Sequence, residues 1–156
     1  MRKYVIIMDG IARIMEAQDS VTNAAVAMRE IEKWHPDDQA QVTSVREISA
    51  DGADIPTNRS VALRDAWEDD GSKINVNLTK ARAGKTNEMR PERNKRLSDL
   101  DVSYIRADEA GDTTTKEKIA VQKQKLRDLP ATIQSDLNAL DTPDKLEKFE
   151  PDWPEA

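Results

Sequence analysis

The segment Gly84-Lys85-Thr86 carries the three residue types that end a phosphate-binding loop. Such a loop also needs a glycine five positions before Gly84, so that backbone N–H groups can wrap around the phosphate. That position is Thr79, and the strand predicted before it is partly polar rather than apolar throughout. We therefore interpret the segment as part of a solvated basic helix and not as a nucleotide site.

His35 is the one histidine of the chain, and cysteine is absent. A histidine that acts as a base or a metal ligand needs partners at defined spacing. Asp37 and Asp38 are close in sequence but lie on a predicted loop. We therefore expect His35 to be an exposed residue at the end of a helix. The lack of cysteine excludes thiolate nucleophiles and cysteine metal sites.

Two acidic clusters have the residue type that binds cations, Asp65-Glu68-Asp69-Asp70 and Asp108-Glu109-Asp112. Neither follows the calcium-loop spacing, which needs a central glycine and a terminal glutamate. We interpret both as solvated faces or as ion-pair partners of a basic segment. The sequence therefore predicts no catalytic residue, no metal and no cofactor.

The composition favours a modest core with peripheral elements. The chain has 156 residues, of which 35% are charged and only 4% aromatic. Its net charge of −6 disfavours unspecific attraction to DNA or to anionic membranes. No apolar run approaches the roughly 20 residues of a membrane span, so we expect no membrane partner.

A small ββαβ domain is predicted over residues 1–50, and it begins with a β-hairpin. Tyr4–Met8 is a β-prone run, and Ile11–Met15 is its predicted returning strand. Asp9-Gly10 between them suits a tight turn, because glycine accepts a positive φ.

The helix of this domain is predicted to follow an N-cap at Asp19 or Ser20. Its apolar residues recur at helical spacing, and it should end near Trp34, before Pro36. Gln41–Ile48 is the third predicted strand.

Residues 51–79 are predicted to connect this domain to the helical part of the chain. Val61–Glu68 is a predicted short helix that buries Leu63 and Trp67. After a turn, Lys73–Leu78 alternates between apolar and polar residues, as a strand with one buried face does.

A long helix capped by Thr79 is predicted to run to about Ala110. Pro91 lies inside it. Proline within a helix removes a hydrogen bond and costs roughly 3 kcal/mol, so we expect a kink or a break there.

A second helix should return along the first, which makes residues 80–130 an antiparallel helical hairpin. Gly111 is placed to end the first helix and Asp112 to cap the second. Thr114–Glu117 also matches a capping box, and Pro130 is predicted to end the second helix.

The predicted second helix spans roughly 24 Å and therefore covers only the part of the first helix after about Leu97. The preceding basic arm, Lys80–Arg96, has no predicted partner within the chain. Such an arm of one charge sign needs solvent or a partner molecule. The candidate partner-binding residues on it are Lys80, Arg82, Arg90, Arg93, Lys95 and Arg96.

An irregular tail is predicted over residues 131–156. Thr142-Pro143 is a good start for a short helix, and the following prolines favour an extended path past Phe149 and Trp153. Trp153 either anchors the tail on another chain or folds back onto the helical hairpin. Phe149 and Trp153 complete the candidate partner-binding residues.

The predicted fold class is therefore α+β. It has a small N-terminal ββαβ unit, a long kinked helix, an antiparallel helical hairpin and an irregular tail that contains proline and tryptophan.

Two stretches between Leu97 and Pro154 resemble a known family, LSDLDVSYIRADEAGDTTTKEKIAVQKQKLRDLP and LDTPDKLEKFEPDWP. They are similar to the C-terminal module of small tail-assembly and tail-fibre-associated proteins of tailed bacteriophages. RDAWEDDGSKINVNLTKAR is similar to segments upstream of that module, so the resemblance covers roughly residues 60–154. Pro91 departs from the pattern, and the ββαβ unit lies outside it.

The resemblance implies a non-catalytic role in the virion tail, or as an assembly chaperone, for a protein made in the host cytoplasm. It implies other tail or fibre proteins as partners and supplies no catalytic residue. The modest core and the uncovered arm further predict a homo-oligomer or a larger assembly. The alternative function is that of a nucleic-acid-binding accessory protein that uses Lys80–Arg96, although this arm lacks interleaved aromatic residues.

Overall fold

The computed structural model describes residues 2–8, 10–18, 20–31, 33, 42–49, 52–58 and 60–154. The chain has the predicted α+β fold, in which the strands precede the long helices. It divides into two compact units, Met1–Gly84 and Lys85–Ala156.

The first unit contains a three-stranded antiparallel sheet of β1 (Arg2–Met8), β2 (Ile11–Ala17) and β3 (Val42–Glu47). Their order is β2-β1-β3, so β1 is the central strand. Gly10 has a φ of 74°, in agreement with a turn that depends on glycine. The three predicted strands are confirmed.

Helix α1 (Ala24–Ile31) begins later than predicted. Its first turn is capped by Asn23, whose Oδ1 accepts a hydrogen bond from the backbone N–H of Val26 at 3.0 Å. A cap at Ser20 is therefore wrong, because Asn23, which directly precedes the helix, takes that role. The alternative cap Asp19 and the predicted helix end at Trp34 lie outside the described residues.

One face of the three-stranded sheet packs toward α1. Tyr4, Ala17, Val21 and Ala27 form a buried cluster there. The Tyr4 hydroxyl donates a hydrogen bond to the Val21 carbonyl at 3.1 Å, which satisfies the phenol within the core.

The opposite face packs against a two-stranded sheet of β4 (Trp67–Asp69) and β5 (Ile74–Val76). Val5 of the central strand forms a buried cluster with Trp67 and Ile74. The strand predicted over residues 73–78 is confirmed as β5. The first unit therefore has a sheet covered on both faces.

The helix predicted over Val61–Glu68 is shorter in the structure. Helix α2 spans Val61–Arg64, and Trp67 lies in β4. Leu63 and Trp67 are buried as expected. An apolar run of this length does not distinguish a helix from a strand, so the periodicity was ambiguous here.

The long predicted helix is two helices, α3 (Leu78–Glu88) and α4 (Arg90–Glu109). The predicted break is confirmed, with Pro91 in the first turn of α4, where its missing N–H is no loss. The cap of α3 is Asn77 rather than Thr79, because Asn77 Oδ1 accepts the backbone N–H of Lys80 at 3.1 Å.

The second unit is built on α4 and α5 (Thr113–Ala139). Gly111 ends α4 with a φ of 68°, and Asp112 accepts the backbone N–H of Thr115 at 2.9 Å, so both predicted roles are confirmed. The capping box predicted for Thr114–Glu117 is wrong, because Asp112 is the N-cap.

Pro130 does not end α5, which continues to Ala139 and is 27 residues long. Leu129, Ile133 and Leu137 are buried on one stripe across the proline. Burying each such side chain contributes roughly 1.5–3 kcal/mol, and three together outweigh the roughly 3 kcal/mol that a helical proline costs. Tertiary packing therefore overrides the local stop signal.

The irregular tail predicted over residues 131–156 begins only after Ala139, where α5 ends, and it contains the short helix α6 (Pro143–Glu147). The predicted start of this helix is confirmed, since Thr142 Oγ1 accepts the backbone N–H of Lys145 at 3.3 Å. Leu146 is fully buried, so the tail has an apolar anchor of its own.

Candidate interaction surface

The helical hairpin of α4 and α5 buries a narrow apolar seam. Ala107 lies on it from α4, and Ile119 and Leu126 lie on it from α5. The antiparallel arrangement follows from the tight turn at Gly111 and Asp112, which leaves no room for a crossover.

Tyr104 fixes the register of this hairpin. The ammonium groups of Lys116 and Lys123 each lie 5.5 Å from the centre of its ring. The same two lysines form ion pairs with Asp108 and Asp101 of α4. The hydrogen bond to Asp108 raises the pKa of Lys116. Because these residues alternate between the two helices, a slip of one turn would separate every pair.

The prediction that the basic arm lacks any intrachain partner is wrong for both halves. In the first half, Ala81 is buried and Gly84 lies close to Ala62 of α2. Helix α5 runs past Pro130, and this extension reaches the arm. Side chains from both helices line one narrow void of about 10 Å³, and they are Thr86, Met89, Arg90, Arg93, Leu129, Pro130 and Ile133. Arg90 is nevertheless exposed, whereas Arg93 is half-buried.

Several charges of the arm are neutralised within their own unit. Lys80 pairs with Glu68 at 2.7 Å, and Arg96 pairs with Glu92 at 2.8 Å. The hydrogen bond from Lys80 lowers the pKa of Glu68. Within the first acidic cluster, Glu68 is therefore an ion-pair partner of the arm, whereas Asp69 pairs with Arg46 of β3. Of the other two candidates, Arg82 is half-buried and Lys95 is exposed.

The tail folds back onto the hairpin, which is one of the two alternatives left open for Trp153. The Arg96 guanidinium lies 4.7 Å from the centre of the Trp153 ring. Gln122 Nε2 donates to the Pro154 carbonyl at 3.5 Å. Trp153 and Phe149 are both half-buried, so each keeps an exposed portion.

Replacement of Trp153 by alanine is expected to lower the free energy of unfolding by about 1–2 kcal/mol, because half of a large ring and one cation–π contact are lost. Urea unfolding followed by circular dichroism measures it. Ile105→Ala is the control, since Ile105 is 57% exposed and its truncation should change little. Unchanged stability in Trp153→Ala would mean that the fold-back contact contributes nothing.

A shallow groove of about 820 Å³ runs between the two helices on the hairpin. Leu100 and Ser103 line it from α4, and Val121, a residue that is 57% exposed, lines it from α5. Lys118 and Lys125 stand on either side of Val121, at the spacing of one helical turn. The groove therefore combines an apolar floor with a charged rim, in which two lysines outnumber the one carboxylate among the described residues of the lining, Glu117.

This groove could not be predicted from the sequence. Its residues come from two helices, and which ones meet depends on the register of the hairpin. An exposed valine between two lysines at helical spacing was the only local signal. The predicted basic arm contributes none of the residues that line the groove.

The residues first considered for phosphate or metal binding do not line the groove. Gly84, Lys85 and Thr86 are within α3, so no phosphate loop forms. The helix is confirmed, but Lys85 is only 8% exposed, so the prediction that this segment is solvated is wrong. His35 lies outside the described residues. The described residues contain no group of three or more histidine, aspartate or glutamate side chains arranged to hold a metal. Asp112 of the second acidic cluster acts as a helix cap, and hydrogen bonds from Thr115 lower its pKa.

None of the helices in the described ranges combines the length and the apolar character needed to cross a bilayer. In comparisons with known proteins, no family model, no curated protein and no solved structure matches this chain.

Proposed function

We propose that this chain is a non-catalytic bacteriophage tail-associated protein, structural or assisting assembly, that acts through protein–protein contacts of the helical hairpin. The family resemblance of residues 97–154 supports the phage assignment. These residues lie within one compact unit, Lys85–Ala156, whereas the upstream part of the resemblance, from about residue 60 to Gly84, belongs to the other unit.

The groove between α4 and α5 is the observation that carries the proposal. Single exposed apolar residues are ordinary on protein surfaces, but a concave site with an apolar floor is typical of a binding groove. Three of the five large hydrophobic side chains that are exposed among the described residues lie on this hairpin, and they are Val102, Ile105 and Val121.

The chemistry of the groove favours an amphipathic helix of a partner protein. Such a helix places apolar side chains on the groove floor and carboxylates near the rim. Lys125 suits this partner because it forms no ion pair with any described residue. The partner would be another tail or fibre protein, or another copy of this chain within a larger assembly.

The proposal is tested first by asking where the protein is found. Mass spectrometry of purified particles should detect it if it is a virion component. An assembly factor would be absent from particles but would bind a tail or fibre subunit in pull-downs from infected cells. Absence from particles together with no binding to any tail or fibre subunit would refute the proposal.

Val121→Glu is expected to reduce capture of the tail or fibre subunit about tenfold, because a carboxylate would replace an apolar contact of roughly 1–2 kcal/mol. Quantitative pull-down with the full-length chain measures this loss. Val61→Glu is a matched control of the same type, since Val61 is 55% and Val121 57% exposed. Equal losses in the two variants would show that capture does not use the groove.

A further inference from the structure

Strand β2 is an edge of the three-stranded sheet, and its outward backbone groups can be assigned from the register. Met8 pairs with Ile11 across a two-residue connection, so these two residues form the closing hydrogen-bonded pair of the hairpin. Hydrogen-bonded pairs alternate along an antiparallel ladder. The backbone N–H and C=O groups of Ala12, Ile14 and Glu16 therefore point away from β1.

The other edge of β1 supports this assignment. The backbone N–H of Ile48 donates to the Lys3 carbonyl at 3.0 Å, so odd-numbered residues of β1 bond toward β3 and even-numbered ones toward β2. Within the described residues, Ala12, Ile14 and Glu16 form no other backbone hydrogen bond. A strand of seven residues with three outward positions can accept another strand.

A cleft of about 500 Å³ opens beside this edge. Its apolar surface comes from Ile14, Ile55 and Trp67. Such a depression next to a free strand edge is what strand addition requires: backbone hydrogen bonds supply affinity and a pocket for alternate side chains supplies selectivity.

The charges around the cleft indicate the kind of strand it fits. Lys3 and Glu16 neutralise each other at 3.1 Å. Arg13 and Arg64 are exposed and form no ion pair with a described residue, whereas Asp65 is the only further carboxylate among the described residues of the lining. The unpaired charge of the cleft is therefore positive, although the whole chain has a net charge of −6.

We propose that the edge of β2 binds an extended acidic segment of another protein by strand addition, with an apolar side chain in the cleft and carboxylates beside Arg13 and Arg64. A second copy of this chain fits less well. Antiparallel pairing of two β2 strands about Ile14 places Arg13 opposite Met15, and the only carboxylate of the strand, Glu16, is already paired. The proposal is independent of the groove on the hairpin.

Fluorescence anisotropy with the full chain tests the proposal. The probe is a fluorescein-labelled peptide with the sequence acetyl-Glu-Val-Glu-Val-Glu-Val-Glu-amide, and the comparison peptide has lysine at every glutamate. Unspecific attraction to an acidic protein favours the lysine peptide. We expect the glutamate peptide to bind at least about tenfold more tightly, and N-methylation of its valine nitrogens to abolish binding.

Two variants locate the binding site. Ile14→Pro removes an outward N–H without removing a bond to β1, and it should weaken binding about tenfold or more. Arg64→Glu should weaken it about fivefold, a loss of roughly 1 kcal/mol, and Arg29→Glu on α1 is the charge-matched control. Circular dichroism and the unfolding midpoint verify that each variant is folded. If Ile14→Pro does not fold, Arg64→Glu and the N-methylated peptide still test the proposal.

Three results would overturn the proposal. The first is equal binding of the two peptides, and the second is equal affinity of Arg64→Glu and Arg29→Glu. The third is a chain that does not bind the glutamate peptide but forms a dimer in sedimentation experiments that Ile14→Pro disrupts, because the occupant of the edge would then be a second copy.

Discussion

Replacement of Arg46 by methionine is expected to lower the free energy of unfolding by about 3 kcal/mol. The guanidinium of Arg46 on β3 pairs with Asp54 at 2.6 Å and with Asp69 of β4 at 2.7 Å. A further hydrogen bond joins Arg46 Nε to Asp69 at 2.8 Å. One side chain therefore connects the main sheet, the following loop and the second sheet.

The size of the effect follows from burial. The side chains of Asp54 and Asp69 are only 9% and 8% exposed, and that of Arg46 is 20% exposed. Methionine keeps the apolar stem but leaves two nearly buried carboxylates without a counter-charge. Breaking a buried ion pair costs about 3–5 kcal/mol, and the remaining exposure of Arg46 places the expected loss at the lower end.

The same ion pair predicts a dependence of stability on pH. Burial alone would raise the pKa of Asp54, but hydrogen bonds donated by Arg46 and Ser49 outweigh it, and the pKa lies below its ordinary value. A carboxyl with a lowered pKa in the folded state stabilises the protein above its unfolded pKa of about 3.9. That contribution is lost as the pH falls below this value through the folded pKa.

Urea unfolding at a series of pH values from 7 down to 3 measures both effects. The natural chain should lose stability on acidification more steeply than Arg46→Met, in which Asp54 has lost its cationic partner. Arg29→Met removes an exposed arginine from α1 and should change the free energy of unfolding by less than about 0.5 kcal/mol. Similar curves for the two variants would mean that the Arg46 ion pairs are too solvated to stabilise the fold.

The ββαβ part of the fold could be predicted because its signals are local. The β-prone run Tyr4–Met8 and the glycine after Asp9 specify a hairpin within fifteen residues of sequence. The contact of Arg46 with Asp54 and Asp69 could not be predicted, because it joins elements that meet only when the second sheet covers the first. The sequence instead predicts that Asp69 belongs to an acidic cluster that is either a solvated face or an ion-pair partner of the basic arm.

In the helical hairpin, one local signal is correct and another is misleading. Gly111 and Asp112 predict the turn correctly, whereas Pro130 predicts an end of the second helix that the structure does not have. Buried Leu129, Ile133 and Leu137 carry α5 through it. The extra turns then cover part of the arm that had been predicted to be free. The cost of a proline inside a helix, roughly 3 kcal/mol, is smaller than the free energy gained by burying a continuing apolar stripe.

Alanine at position 84 is expected to destabilise the protein by about 2 kcal/mol, which is the reverse of the ordinary effect. Glycine within a helix usually costs about 1 kcal/mol relative to alanine, so Gly84→Ala in α3 would otherwise be stabilising. However, a Cβ at Gly84 would lie 2.9 Å from both Cα and Cβ of Ala62 and 3.2 Å from its carbonyl oxygen. Backbone atoms cannot turn aside as a long side chain does, so α2 and α3 must move apart.

A double-mutant cycle with Ala62→Gly measures this contact. Ala62→Gly removes the Cβ that alanine at position 84 would strike but leaves the Cα and the carbonyl, so the rescue should be partial. We expect an interaction free energy of about 1 kcal/mol in urea unfolding. A stabilising Gly84→Ala would show that the helices have room to separate. An interaction free energy of this size would explain Gly84, which first resembled part of a phosphate loop, by the close packing of α2 and α3. The sequence alone could not predict this requirement, because Ala62 lies more than twenty residues away.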